Sequence, residues 1–301
     1  MSTILTIADF DVVFLSYDEP NADSNWADLL IKIPHAKRVH GVKGSDSAHK
    51  AVAQLATTDR VIVIDADNII HANFLDQVIE IDSSVDPSQC VLSWPSQNII
   101  NGLQYGNGGI KCWPRQLMLD MRTHENADAD DITAQVDFCW QINYLAVDEC
   151  YSTIHNNASS QQAWRAGFRE GVKMSLDQGL KVNDLTQVWP GNLKRLGIWM
   201  MVGADVPNGI WSILGAREGC YLTNFTNWDH TNVRDFDYLN NYWNEKVCSL
   251  TLEDAHNKVN MLGYLMREQL NIIEPFDNKQ SKFFKFFDFN PDRQPKTVNK
   301  L

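Results

Sequence analysis

Through its first half the chain alternates short β-branched apolar runs with stretches of helical spacing. In its second half helical spacing continues alone. Asp11–Ser16 (DVVFLS) predicts a strand, and Trp26–Ile33, after the turn-rich EPNADSN, a short helix. Arg38–Val42 predicts a second strand. Ser47–Ala56 (SAHKAVAQLA) predicts a helix that Ser45 or Asp46 can cap. Val61–Ile64 is a β-branched run, the pattern of a central strand buried on both faces. A helix over Asn73–Ile81, a strand over Val91–Trp94, a helix over Arg115–Met121 and a strand over Val136–Tyr144 continue the series. The glycine-rich GNGGIKCWP (106–114) and the acid-rich loop ENADADD (125–131) interrupt it. Such alternation predicts βαβ units on a mostly parallel sheet. Beyond residue 155 the pattern predicts helices over Ser160–Gln178, parts of 184–202, most of 235–247 and Leu252–Leu270. The expected organisation is an α/β core over 1–155, a helical region over 156–278 and a basic, Phe-rich tail over 279–301.

Composition narrows the class. With 301 residues, 44% of them hydrophobic, the chain can bury a large core. No apolar run approaches the ~20 residues of a membrane span. The N-terminus lacks the basic region of a signal peptide. Cys90, Cys112, Cys139, Cys150, Cys220 and Cys248 are scattered, with no C-x-x-C pair, which argues against a zinc module or a disulfide framework. A cytoplasmic, reducing setting is expected. Net charge is −12. The tail holds +4 of charge, leaving −16 on the other 278 residues, which disfavours nucleic-acid binding by charge alone.

The candidate chemistry begins at VIVIDAD (61–67). Asp65 and Asp67 end an apolar run one residue apart, at the rim where open α/β folds bind ligands. Carboxylates this close repel unless a cation sits beside them. The competing reading is a turn, which Asp and Asn also favour.

The ordered set SYDEP (16–20), GVKGSDSAHKAVAQLATTDR (41–60) and VIVIDAD (61–67) resembles nucleotide-sugar glycosyltransferases of the GT-A, Rossmann-like fold across about residues 10–110. That resemblance implies a metal-dependent transfer of a sugar, from a UDP-sugar as the expected donor, to an acceptor hydroxyl. It implies Mn²⁺ or Mg²⁺ on Asp65 and Asp67, with Ala66 between them, and a third ligand at His155, with His230 as its rival. It places Ser16, Tyr17, Asp18 and Glu19 at the base and ribose, and Lys43, His49 and Lys50 at the phosphates. Gly106, Gly108, Gly109 and Trp113 would floor the donor-sugar or acceptor site. Asp137 would be the base of an inverting reaction, with Asp128, Asp130 and Asp131 read as solvated loop. Trp164, Arg165 and Arg169 would grip acceptor or phosphate.

AWRAGFREGVK (163–173) adds a finer likeness to phage-encoded members that decorate hydroxymethylated bases of viral DNA, implying DNA as acceptor. A glycan, lipid-linked or protein acceptor is the alternative. From other classes, a nucleotidyltransferase is disfavoured because its first loop is usually basic where SYDEP is acidic. A structural protein with a degenerate fold is disfavoured by the intact acid pair.

Overall fold

A computed structural model describes residues 2–128, 130–137, 142–286 and 298–300, and of 106–108, 286 and 298–300 it describes the backbone alone. The strands are β1 (Thr3–Thr6), β2 (Asp11–Ser16), β3 (Lys37–His40), β4 (Arg60–Asp65), β5 (Asn68–Ile70), β6 (Val78–Ile81), β7 (Cys90–Asn98), β8 (Gln104–Pro114), β9 (Asn143–Ala146), β10 (Ser152–Ile154) and β11 (Val298–Lys300). The helices are α1 (Ala22–Lys32), α2 (Ser45–Leu55), α3 (Arg115–Asp120), α4 (Ile132–Val136), α5 (Ser160–Lys173), α6 (Pro190–Met201), α7 (Gly209–Phe225), α8 (Phe236–Lys246), α9 (Leu252–Leu270) and α10 (Asn278–Phe286). Among the described residues no helix is long and apolar enough to cross a membrane. The described cysteines are free thiols, and Cys139 lies outside the described residues.

The larger sheet runs β3-β2-β4-β8-β7-β10-β5, with β9 also paired to β7. The class is α/β, but the sheet is mixed rather than mostly parallel. β3, β2 and β4 are parallel neighbours, β8 runs antiparallel to both β4 and β7, and β5 runs antiparallel to β10. The reason is connection length. The turn at 99–103 joins β7 to β8 too tightly for a crossover, so the two form a hairpin. Gly102 turns it at φ +77°. β1, β6 and β11 form a small antiparallel sheet.

Alternation along β4 builds two cores. Val61 and Val63 pack with Val52 of α2, Trp113 and Met118 on one face. Ile62 and Ile64 pack with Leu29 of α1, Phe74 and Trp94 on the other. Three expected elements differ. Asn73–Ile81 is a 3₁₀ turn followed by β6, since Ile79 and Ile81 are the buried face of a two-residue period. The glycine-rich 106–114 belongs to β8, which pairs with β4 over 110–114 and with β7 at 104–105 and 110–112. Within 136–144, Val136 closes α4, residues 138–141 lie outside the description, and β9 starts at Asn143.

The helical part has its own core, from Trp164 and Phe168 through Leu196, Ile213 and Val259 to Met266. At its centre α5 and α7 touch backbone to backbone. A Cβ at Gly167 would lie 2.0 Å from the Ser212 carbonyl oxygen, and one at Gly171 2.2 Å from that of Ala216. In return, Cβ atoms at Gly215 and Gly219 would lie 2.1 and 2.3 Å from the carbonyl oxygens of Trp164 and Phe168. These are two small-xxx-small faces that allow the closest helix approach. Contacts advance in the same direction along both helices, so α6 makes the return between them. From the tail, α10 packs Phe284 against Phe276 and pairs Lys285 with Asp205 at 2.7 Å, while Arg293 and Lys296 lie outside the described residues.

Gly171→Ala forces this contact apart. We expect a loss of about 2 kcal/mol or more in urea unfolding at unchanged slope. Gly197→Ala in α6, whose new methyl would have its nearest neighbour at 3.7 Å, should instead gain about 0.5–1 kcal/mol. Equal effects at the two positions would refute the clamp.

Candidate functional site

The acids expected to act together do converge. β2 ends at Ser16 and β4 at Asp65, as parallel neighbours, so the residues that follow meet at one rim of the sheet. Burial, then the charge of Asp65 and then that of Glu19, push the Asp67 carboxyl up to about 7. The Asn68 amide opposes this by donating to Asp67 Oδ1 at 2.9 Å. Asn68 is itself buried and held: its Oδ1 accepts from Ser152 Oγ at 2.8 Å and Ser96 Oγ at 3.2 Å. Gly109, at φ +90°, makes room for that amide, since a Cβ there would lie 2.1 Å from Asn68 Nδ2. The 65–68 turn is tied to α1, where Asn25 Nδ2 donates to the Ala66 carbonyl at 2.8 Å.

Basic side chains stand around these acids. Lys111 of β8 lies opposite Val63, so its side chain shares the face of Asp65, and its Nζ is 3.8 Å from Asp65 Oδ2. His49 of α2 feels Asp65 and Lys111, but burial dominates and holds its imidazole below the usual value. Its Nδ1 is 2.7 Å from the Ser45 carbonyl, and because a carbonyl only accepts, Nδ1 carries the proton. From the helical part, Arg165 Nη2 comes within 3.7 Å of Asp18 Oδ1 and feels Glu19 and Asp67, while burial lowers its guanidinium pKa. The Tyr17 ring is half exposed, and its backbone N–H donates to Glu19 Oε2 at 2.8 Å. Among the described residues no three His, Cys, Asp or Glu side chains form a closed metal cluster.

Other expected residues go elsewhere. His155 meets Asp67 only through the main chain, its N–H donating to the Asp67 carbonyl at 2.7 Å, and the carboxylate acting on its imidazole is Asp28. His230 bonds the Gly179 carbonyl at 3.1 Å. Lys43 pairs with Asp237 at 2.7 Å and Lys50 with Asp46 at 2.6 Å, so neither reaches the acids. The Ser16 hydroxyl is taken by Arg38 Nε and His40 Nδ1, each at 2.9 Å. Trp113 is fully buried in edge-to-face contact with His49 and Tyr144. Trp164 is fully buried, donating to Glu218 at 2.7 Å and stacked on Tyr242. Neither indole offers a face to a ligand, because each fills a core. Asp137 pairs with Lys173 at 2.6 Å, which makes it a counter-charge on α5. Asp128 and Asp130 are exposed, whereas Asp131 caps α4 through Ala134 N.

Lys111, Asn68, Arg38, Arg234, His124 and Phe236 escaped the sequence reading. Lys111 alone carried a signal, a charge inside the apolar run between Ile110 and Cys112. No family model matches the chain, and no curated protein matches it.

An acid that holds its proton more tightly folded than unfolded weakens the fold as pH rises from about 4, and the loss is complete only above its folded value near 7. Asp67→Asn keeps the shape and removes the charge. We expect the variant to exceed the parent by about 1–3 kcal/mol at pH 8 without divalent cation, and to match it near pH 3. A variant less stable at pH 8 would remove Asp67 from the repulsive set. Unfolding curves at the two pH values decide this.

Proposed function

We propose that the chain is a metal-dependent glycosyltransferase of GT-A type that uses a nucleotide sugar, with a UDP-sugar as the expected donor. The observation that carries this reading is the convergence of Glu19, Asp65 and Asp67 at the ends of β2 and β4, where burial and then the charges of Asp65 and Glu19 push the Asp67 carboxyl up to about 7. A fold accepts that repulsion where a cation is to be held. The donor set fits Mn²⁺ or Mg²⁺, since both prefer carboxylate oxygen and keep several positions for water and phosphate. Asp67 and Asp65 would hold the ion, and His155 is not needed as a ligand. When bound, the metal supplies Lewis-acid neutralisation of the departing diphosphate.

The chain's own residues prepare the rest. Arg165 brings a fixed positive charge to the same rim, beside Asp18. Its fork suits a phosphate oxygen pair. Lys111 tempers Asp65 from behind without closing on it, at 3.8 Å. Asn68 orients Asp67. The exposed Tyr17 ring offers a stacking face for a nucleobase at the end of β2.

The test is thermal stabilisation by UDP-glucose, UDP-galactose, UDP-N-acetylglucosamine and GDP-mannose, each with and without Mn²⁺. A ligand at 100 times its Kd adds roughly 2.7 kcal/mol to the folded state. We expect a Mn²⁺-dependent rise with one donor, absent in Asp67→Ala. No rise with any donor under either condition would sink the reading.

A further inference from the structure

The outward face of α5 carries Arg165, Arg169 and Lys173 at successive i, i+4 positions, about 6 Å apart along the axis. Arg165 faces the acids of the rim, and Lys173 pairs with Asp137. Between them the charges are poorly matched. The guanidiniums of Arg165 and Arg169 both rest on the Phe236 ring, at 4.8 and 4.9 Å from its centroid. Two like charges on one ring repel. Arg234 approaches from the segment before α8, its Nη1 3.4 Å from the His124 carbonyl. Burial, with Arg169, Lys173 and Arg234 adding to it, pushes the His124 imidazole down to about 3, although Asp137 acts the other way. Among the described residues neither Arg169 nor Arg234 has a carboxylate at salt-bridge distance, and Arg169 Nε is buried with no hydrogen-bond partner. Asp229 feels Arg234, but its Oδ1 accepts from the Thr231 amide and hydroxyl. In a chain of net charge −12, a cluster of cations left short of acids is the local exception.

We propose that Arg169, Lys173 and Arg234 form a phosphate-binding subsite for the acceptor, so that the acceptor carries a phosphate of its own. The proposal rests on the transferase reading for the word acceptor, since the donor diphosphate belongs with Arg165 and Asp67 at the other end of the same helix face. The subsite recognises charge and an exposed aromatic edge at Phe236, features shared by a nucleic-acid phosphodiester and a small sugar phosphate. The −16 of the chain outside its tail favours a short ligand over a long polyanion.

The experiment titrates the full chain with inorganic phosphate, and separately with UDP plus Mn²⁺, using the parent, Arg169→Gln, Arg234→Gln and Asp67→Asn. Phosphate affinity should fall at least about tenfold in Arg169→Gln and Arg234→Gln and hold in Asp67→Asn. UDP–Mn²⁺ binding should be lost in Asp67→Asn and stay within about twofold in Arg234→Gln. Arg234 lies outside the α5–α7 contact, so its variant serves if Arg169→Gln fails to fold. Unchanged phosphate affinity in Arg234→Gln overturns the subsite. Equal loss of phosphate and nucleotide in that variant also overturns it, by reducing the two sites to one. If the parent binds phosphate but no nucleotide, the donor reading fails and the acceptor assignment with it. In competition arms, glucose 6-phosphate and a 5′-phosphorylated dinucleotide are expected to displace phosphate, and the tighter one names the carrier. Displacement by neither overturns the acceptor assignment.

Discussion

The backbone contact between α5 and α7 is the constraint on which the arrangement of the site depends. Four glycines let carbonyl oxygens sit where side chains would otherwise stand. That contact fixes the roll of α5 about its axis. With Trp164 and Phe168 turned into the core, the face at 165, 169 and 173 can only look outward, towards the rim of the sheet. The same helix is stitched to the rim at its start. Ser159 caps it through Gln162 N, Gln162 Nε2 donates to Asn21 Oδ1 at 3.2 Å, and Asn21 Nδ2 donates to the His155 carbonyl at 2.8 Å. The His155 N–H in turn holds the Asp67 carbonyl. The acidic turn and the basic helix are thus parts of one hydrogen-bonded chain of residues.

At the rim itself stability and function pull apart. Asp67 would be easier to fold as an amide, because burial and the charges of Asp65 and Glu19 disfavour its own. The structure limits the cost with groups that do not cancel the negative field. Lys111 sits nearly 4 Å off Asp65, Arg165 serves Asp18, and Asn68 donates to one oxygen of Asp67. A closer lysine would quench the charge that the proposed cation needs. Gly109 belongs to the same device, for without its missing side chain Asn68 could not reach Asp67.

Several features depart from local pattern for one shared reason: their partners lie far along the chain. The helix expected over 73–81 is half strand because Ile79 and Ile81 bury against β1. The glycines of 106–109 look like a loop, yet they stand within β8, whose residues 110–112 pair with β4 on one side and β7 on the other. α7 shows little amphipathic period because it is buried on nearly every side, so no face of it stays polar. In AWRAGFREGVK the tryptophan and both glycines serve the contact with α7, while Arg165, Arg169 and Lys173 face outward. Trp113, near the end of β8 and paired opposite Val61, fills a core instead of offering a face to a ligand.

By itself the sequence determined what short-range periodicity and chain order can determine. β2, α2, β4, α8 and α9 fall close to where local pattern puts them, and the neighbouring ends of β2 and β4 bring SYDEP to IDAD. Burial on both faces of Val61–Ile64 was legible because four β-branched residues have no polar side to show. Only the tertiary structure decided the mixed direction of the sheet, the pairing of Asp137 with Lys173, the approach of Lys111 to Asp65, and the meeting of Arg169 with Phe236 and of Arg234 with His124. Those are contacts between residues 36 to 110 positions apart. Local spacing says which face a side chain takes, and the packing of whole elements says what that face will meet.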